Sequence, residues 1–321
     1  MSAFMRLIKG IPRTPAYRNG CVLTIGNFDG VHLGHHAVIE KLARCGKALG
    51  LPVVILMFEP QPLEYFMGND APPRLTRLRE KVARLAKLPV DDLVIVRFNK
   101  QLADYDAGQF VDEVLVNRLK VRHLVIGDDF RFGKGRLGDF SMLKEKGRIH
   151  GFAVEDTGSL QVDGLRVSST LIRNALAVGD LEQAEAMLGY RYSICGRVVH
   201  GDKRGRTIGY PTANIRMSRK NIPVSGVFAI TLTGIDDREI PGVANIGIRP
   251  TVDGSNKVVL EAHLFGFNQD IYGYQVTVHF KKKIRAERRF LTVDELKEQI
   301  VDDVAEAKSI FATPTIEDNG L

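Results

Sequence analysis

A chain of 321 residues accommodates two domains of about 100–200 residues each, and its 44% hydrophobic and 26% charged content is that of ordinary globular cores. No run nears the roughly 18 consecutive apolar residues of a membrane span, and the basic N-terminal stretch lacks the apolar segment of a secretory signal. A net charge of +7 favours anionic partners, but the basic residues are scattered through glycine-containing motifs rather than set in a basic run with interleaved aromatics, so nucleotides fit better than a nucleic-acid polymer.

In chain order, Val22–Ile25, Val53–Met57, Leu93–Val96 and His123–Ile126 are short β-branched apolar runs, the pattern of strands buried on both faces. Between them lie amphipathic stretches of helical period, His35–Leu49, Leu78–Lys87 and Ala107–Leu119. Asp106 and Gln109 supply a capping pattern for the third. This alternation predicts an α/β domain with an open parallel sheet, and ligands of such sheets bind beyond the carboxyl ends of the strands. A short helical stretch ends near Gly179–Gly189. Ser193–Val199, Gly226–Leu232, Val258–Leu264 and Gln275–Phe280, separated by Gly, Pro and Asn turns, predict a small antiparallel β-barrel. Thr292–Phe311 returns to helical period, with Thr292 and Glu295 as a capping box. The expected domains are residues 1–187 and 188–321. Cys21, Cys45 and Cys195 are far apart with no C-x-x-C spacing, which argues against a disulfide framework and a cysteine zinc site and fits a reducing cytoplasm.

The segment Gly26-Asn27-Phe28-Asp29-Gly30-Val31-His32-Leu33-Gly34-His35 follows a strand and opens a helix. Glycines admit phosphate close to the backbone, and a helix start presents free N–H groups and the positive end of the dipole. His32 and His35, three apart, stand on one side of the first turn, where imidazoles can stabilise charge on an attacked α-phosphate. Val167-Ser168-Ser169-Thr170-Leu171-Ile172-Arg173 places hydroxyls at a helix start with an arginine one turn on, which serves equally as an N-cap or a phosphate grip. The loop Gly127–Arg136 is one residue too long for a Walker A and has no Ser or Thr after Lys134. Phe58, in Phe58-Glu59-Pro60-Gln61-Pro62, is a candidate wall for a flat ring.

His32-Leu33-Gly34-His35 resembles the H-x-G-H signature of the nucleotidylyltransferase superfamily. Residues 127–136, including Asp129, and 167–173 resemble segments of bacterial FAD synthetase domains. That resemblance implies catalytic roles for His32 and His35. It implies nucleotide contacts for Gly26, Asn27, Phe28, Asp29, Gly34, Asp129, Ser168, Ser169, Thr170 and Arg173.

His200–Asn214 is the densest stretch, with glycines alternating with Lys203, Arg204 and Arg206 in a loop suited to wrapping phosphate. Thr212 and Asn214, two apart, face the same way on an extended segment and offer hard oxygen ligands suited to magnesium carried by a nucleotide. Alternation also sets Val259, Glu261 and His263 on one face, where a carboxylate can take a proton from an attacking hydroxyl. Pro211-Thr212-Ala213-Asn214 resembles the P-T-A-N motif of riboflavin kinases, and the likeness continues through Gly226–Phe228, Val243–Gly247, Glu261 and Arg285-Ala286-Glu287. It implies that Glu261 is the base and that Thr212 and Asn214 hold Mg2+. Gly201, Lys203, Gly205, Arg206, Gly209 and Pro211 would bind the kinase nucleotide, and Arg285 and Glu287 would lie near the flavin. The order of both motif sets resembles bacterial bifunctional riboflavin kinase/FMN adenylyltransferases. The expected partners are therefore ATP, riboflavin and FMN, with Mg2+ accompanying ATP and no nucleic acid or membrane.

Overall fold

The computed structural model describes residues 4–12, 17–127, 129–158, 160–201, 209–217, 221–250 and 256–312. Two compact units emerge, Met1–Pro72 with Thr76–Ser169, and Pro73–Leu75 with Thr170–Leu321. The first contains β1 (Arg6–Lys9), β2 (Cys21–Ile25), α1 (Leu33–Leu49), β3 (Val53–Glu59), α2 (Pro62–Met67), α3 (Leu78–Leu85) and β4 (Asp92–Arg97). It continues with α4 (Lys100–Ala103), α5 (Ala107–Gln109), β5 (Val121–Ile126), α6 (Phe140–His150), β6 (Ala153–Asp156) and the small hairpin β7 (Gln161–Val162) and β8 (Leu165–Arg166).

Six of these strands form one parallel sheet in the order β1-β4-β3-β2-β5-β6. Every residue of β2 is buried, because alternate side chains feed different cores. Cys21, Leu23 and Ile25 pack with Phe110, Val114 and Leu115, while Val22 packs with Leu42 and Val125. Edge strand β1, absent from the sequence expectations, is pinned by Arg6, whose guanidinium donates to both oxygens of fully buried Asp92 at 2.6 and 2.7 Å. The helix expected over Ala107–Leu119 starts with the expected Asp106/Gln109 capping box, but from Phe110 to Arg118 it is wound as a π-helix. Its closing bond runs five residues back, from Leu119 N–H to the Val114 carbonyl at 3.0 Å, and the wider turn keeps Phe110, Val111, Val114 and Leu115 buried together.

From β2 the chain winds through β3 and β4 toward one sheet edge, then returns to place β5 on the other side of β2. The order reverses there, which opens a crevice at the carboxyl ends of β2 and β5. The two loops singled out from the sequence leave the sheet at this point.

The second unit comprises α7 (Ser169–Val178, whose first residue closes the first unit), α8 (Leu181–Leu188), β9 (Ser193–Val199), β10 (Ala213–Arg216), β11 (Gly226–Thr233), β12 (Ile240–Pro250), β13 (Asn256–Leu264), β14 (Gln275–Arg285) and α9 (Val293–Ala312). Its strands close into an antiparallel barrel, β10-β13-β12-β11-β14-β9. Phe228 and Phe280 meet edge to face at 5.2 Å in the interior. On the outer face Val227, Ala229 and Val243 are covered by Val304 and Ala307 of α9. Thr292 caps that helix by accepting from Glu295 N–H at 3.1 Å, whereas the return bond of the expected capping box goes to Leu291 N–H. Among the described residues, no helix is long and apolar enough to cross a membrane.

Candidate functional site

At the carboxyl end of β2 the chain turns sharply through Phe28 and Val31, two non-glycine residues at φ 47° and 44°. Such backbone strain persists only where the surroundings over-determine it. Here they do: both side chains are buried, and the Asp29 carboxylate accepts from Thr76 N–H at 3.0 Å while Gly30 N–H donates to the Thr76 hydroxyl at 2.9 Å. The Ser169 hydroxyl donates to the Asp29 carbonyl at 2.9 Å. Lys81, fully buried on α3, donates to the Asn27 carbonyl, and Gly26 N–H bonds to the Leu56 carbonyl at 3.2 Å. Thr76 and Lys81, missed by the sequence reading, therefore fix the loop; they lie some 50 positions away with no motif of their own.

His32 is the N-cap of α1 and forms a reciprocal box with His35. His35 N–H donates to His32 Nδ1 at 3.4 Å, and His32 N–H donates to His35 Nδ1 at 3.2 Å. The two rings stack at 3.6 Å. Because each Nδ1 accepts, each neutral ring carries its proton on Nε2. Burial, reinforced by His32, Lys81 and His36, holds the His35 imidazole well below its ordinary range, so it is neutral at physiological pH. The pair is thus two aligned Nε2–H donors at the positive end of a helix. Gly34 leaves room for the ring: a Cβ there would lie 3.1 Å from His32 Nδ1, closer than ordinary contact. Phe28 braces the pair, with its ring 4.8 Å from that of His35.

The other predicted residues of this site vary in placement. Asp129 is exposed and accepts from Arg166 at 3.3 Å. Ser168 precedes α7 and is half-buried. Thr170 and Arg173 fall in the second unit, where Arg173 Nε donates to the Pro73 carbonyl at 2.7 Å. Phe58 joins an aromatic group that the sequence reading did not assemble. It meets Phe98 at 5.7 Å, and Tyr65 and Phe66 lie 5.3 and 5.7 Å from Phe98, with Phe66 66% exposed.

On the barrel, strand register brings the kinase-type residues together. Asn214 of β10 pairs with Glu261 of β13, and Glu261 pairs with Asn245 of β12. Register partners share a face with Cβ atoms about 4.5–5.5 Å apart. Since Leu260 and Ala262 are buried and Asn245 is exposed, this row faces outward. Asn245, not among the predicted residues, also donates to Glu287 Oε1 at 3.4 Å. Gly201 lies against the Asn214 amide, where no Cβ would fit. His263 Nδ1–H donates to the Pro211 carbonyl at 2.9 Å. Beside it is a cleft of about 260 Å³ lined by Pro211, Thr212, Ala262, Phe267, Asp270 and Tyr272. Gly209 has φ 86°, a conformation that favours glycine. Lys203, Gly205 and Arg206 lie outside the described residues. The Arg285 fork closes on Asp303 of α9 at 2.8 and 2.7 Å, so its donors are directed at a helix carboxylate. Glu287 packs against Gly247.

Residues 14–171 match the family described as FAD synthetase, and residues 188–311 match the riboflavin kinase family. A protein of Escherichia coli (strain K12) named bifunctional riboflavin kinase/FMN adenylyltransferase is 49% identical over 96% of this chain and 98% of its own length. Proteins of the same name from Haemophilus influenzae and Pseudomonas fluorescens are 49% and 45% identical, each over 96% of the chain. The chain belongs to the bifunctional riboflavin kinase/FMN adenylyltransferase family. A crystal structure described as a macrolide-efflux protein from Streptococcus pneumoniae has the same fold, with TM-score 0.80 and 28% identity over 97% of this chain and 100% of that one.

Proposed function

We infer that the chain makes FMN from riboflavin and ATP in its C-terminal barrel, and FAD from FMN and a second ATP in its N-terminal α/β unit. The observation that carries this is that one chain matches the two activity families in succession, 14–171 and then 188–311.

In the adenylyl step an oxygen of the FMN phosphate attacks the α-phosphorus of ATP and pyrophosphate leaves. The Nε2–H groups of His32 and His35 donate to the oxygens that gain charge, and the α1 N-terminus adds its dipole. Neutral rings suit this role, since the step needs positioned donors and no proton transfer. Gly26, Asn27, Phe28, Asp29 and Gly34 shape the phosphate loop. Asp129, Ser168, Ser169, Thr170 and Arg173 are proposed nucleotide contacts on the strength of their motifs. The Phe58, Tyr65, Phe66 and Phe98 group is proposed as the platform for the flavin ring, which aromatic faces recognise by stacking.

In the kinase step Glu261 accepts the proton of the riboflavin 5′-hydroxyl as it attacks the γ-phosphorus of ATP, and the bond to the β,γ-bridging oxygen breaks to release ADP. The Asn214 amide oxygen on the strand position paired with Glu261, and the Thr212 hydroxyl two residues before it, form a hard oxygen set that fits Mg2+. When bound with ATP, Mg2+ neutralises charge on the phosphates. Gly201, Gly209 and Pro211, with Lys203, Gly205 and Arg206, are proposed to wrap the nucleotide. Arg285 and Glu287 are proposed to stand near the flavin, Arg285 through the strand end it anchors. A reducing cytoplasm is the proposed compartment, supported by Cys21, Cys45 and Cys195 standing as thiols rather than in disulfides.

We propose residues 1–187 and 188–321 as the functional division, supported by the second family match starting at 188. Fragments cut there, compared with 1–169 and 170–321, would separate this division from the packing one, at which α7 and α8 stay with the barrel. Full partial activities from the first pair support the proposal; activity from the second pair alone overturns it. The two-reaction reading itself is tested by incubating the full chain with riboflavin, Mg2+ and ATP and separating the flavins. FMN and FAD are expected; no consumption of ATP would overturn it.

A further inference from the structure

Away from both sites, three elements of the α/β unit bring together a cysteine, a histidine and a glutamate. Cys45 lies near the end of α1, His123 on β5 and Glu155 on the edge strand β6. One ligand atom from each falls within 4.8 Å of the others. His123 Nε2 is 3.6 Å from Cys45 Sγ and 3.2 Å from Glu155 Oε1. With Zn–S of about 2.3 Å and Zn–N and Zn–O of about 2.0–2.2 Å, a zinc tetrahedron has an S···N edge of about 3.6 Å and an N···O edge of about 3.4 Å. We propose that Cys45, His123 and Glu155 form a binding site for a zinc-class divalent ion that clasps α1 to the edge of the sheet, with water as fourth ligand.

Hydrogen bonding alone serves this geometry poorly. One imidazole nitrogen faces both the thiol and the carboxylate, yet it carries at most one proton. A metal centred on the three resolves the conflict. Lys41 orients the carboxylate from outside: its Nζ is 3.0 Å from Glu155 Oε2 and it also donates to the Asp156 carbonyl, which leaves Oε1 to His123. His123 is buried and Glu155 half-exposed, so the site is enclosed on one side and open on the other. A thiolate–imidazole–carboxylate set selects zinc over the magnesium of the kinase site. The clasp acts on the same helix whose first turn carries His32 and His35, ten residues or about 15 Å away.

Cobalt is the probe. The full chain, freed of metal with a chelator, is titrated with Co2+ and followed by absorption. One equivalent is expected to produce a near-ultraviolet thiolate-to-cobalt band and the visible bands of a tetrahedral ion, bleached by Zn2+ and untouched by a large excess of Mg2+. Cys45→Ser should abolish the thiolate band, and Glu155→Gln should keep it while weakening binding on the order of 10–100-fold. Cys195→Ser should change neither. Zinc should raise the melting temperature of the wild type and leave that of Cys45→Ser unmoved. Circular dichroism checks each fold; Glu155→Gln, on an edge strand, still decides the matter if Cys45→Ser misfolds. A folded wild type with no thiolate band, or a Glu155→Gln titration that coincides with it, overturns the proposal. Neither result bears on flavin turnover, which is read separately.

Discussion

In the α/β unit the candidate phosphate-binding groups stand at the start of a helix, His32 buried and His35 half-buried, and are mutually locked. His32 and His35 bond to each other's backbone, and Asp29, Thr76 and Lys81 fix the strained turn beneath them. On the barrel the corresponding groups stand in an outward-facing row set by strand register, Asn214, Glu261 and Asn245. The helix start offers neutral donors and a dipole, an arrangement suited to polyphosphate without a cation. The strand row presents a carboxylate, which repels polyphosphate until a cation accompanies it. One architecture presents its electrostatics ready-made, and the other, in the proposed kinase step, takes its positive charge from the Mg2+ that accompanies ATP.

That contrast can be broken at each end. Glu261→Gln is expected to lower FMN formation by about 10²–10⁴-fold, the range of a positioned general base, with FAD formation from supplied FMN intact. His35→Ala should do the reverse, lowering FAD formation by about 10²–10³-fold, as for loss of one pre-organised donor. Product chromatography from riboflavin and from FMN reads both, and a variant that stopped both reactions would contradict the independence of the sites. Asp303→Asn leaves the largely buried Arg285 charge without its partner and should destabilise the barrel by roughly 3–5 kcal/mol, seen as a lower urea midpoint. Gly34→Ala should cost FAD formation roughly tenfold, because the new Cβ displaces the His32 ring from alignment.

The smallest effect is a pH dependence. Since the folded His35 pKa lies well below 6.5, the ring is neutral on both sides of that value, and FAD formation should show no inflection from it at pH 6.5. Stability follows the same linkage. The unfolded chain takes up the proton first, so this ring does not destabilise the fold above pH 6.5 and progressively does so below it. Melting curves of wild type and His35→Gln should therefore converge in slope above that pH and diverge below it.

Much of this was legible in the chain. Buried strands announced themselves as β-branched runs, and Cys21–Ile25 is indeed buried throughout. The Asp106/Gln109 box and the Thr292 cap were readable because capping is local chemistry. Strand β1 was not readable, since its Arg-Leu-Ile-Lys sequence is short and polar-flanked and is held by Asp92, 86 residues away. The π-wound segment was also hidden, because its apolar spacing fits a regular helix. Asn245 looked like part of a motif without a role until register set it opposite Glu261.

The identity of both reactions was legible only through the resemblance of the motifs to known families, but local order along the chain was sufficient to determine the α/β and barrel classes and the helix start with its histidine pair. These follow from hydrophobic period, turn chemistry and motif, all of which act over a few residues. Tertiary structure alone decided the reversal of strand order that opens a crevice between β2 and β5, the row Asn214–Glu261–Asn245, and the meeting of Cys45 with His123 and Glu155. The spacing of the cysteines argued against a zinc site made from several of them; a mixed site needs only one cysteine, and here that cysteine lies 78 positions from the histidine it meets. Such contacts depend on which strands become neighbours, a choice made by long-range packing that no short window of sequence records.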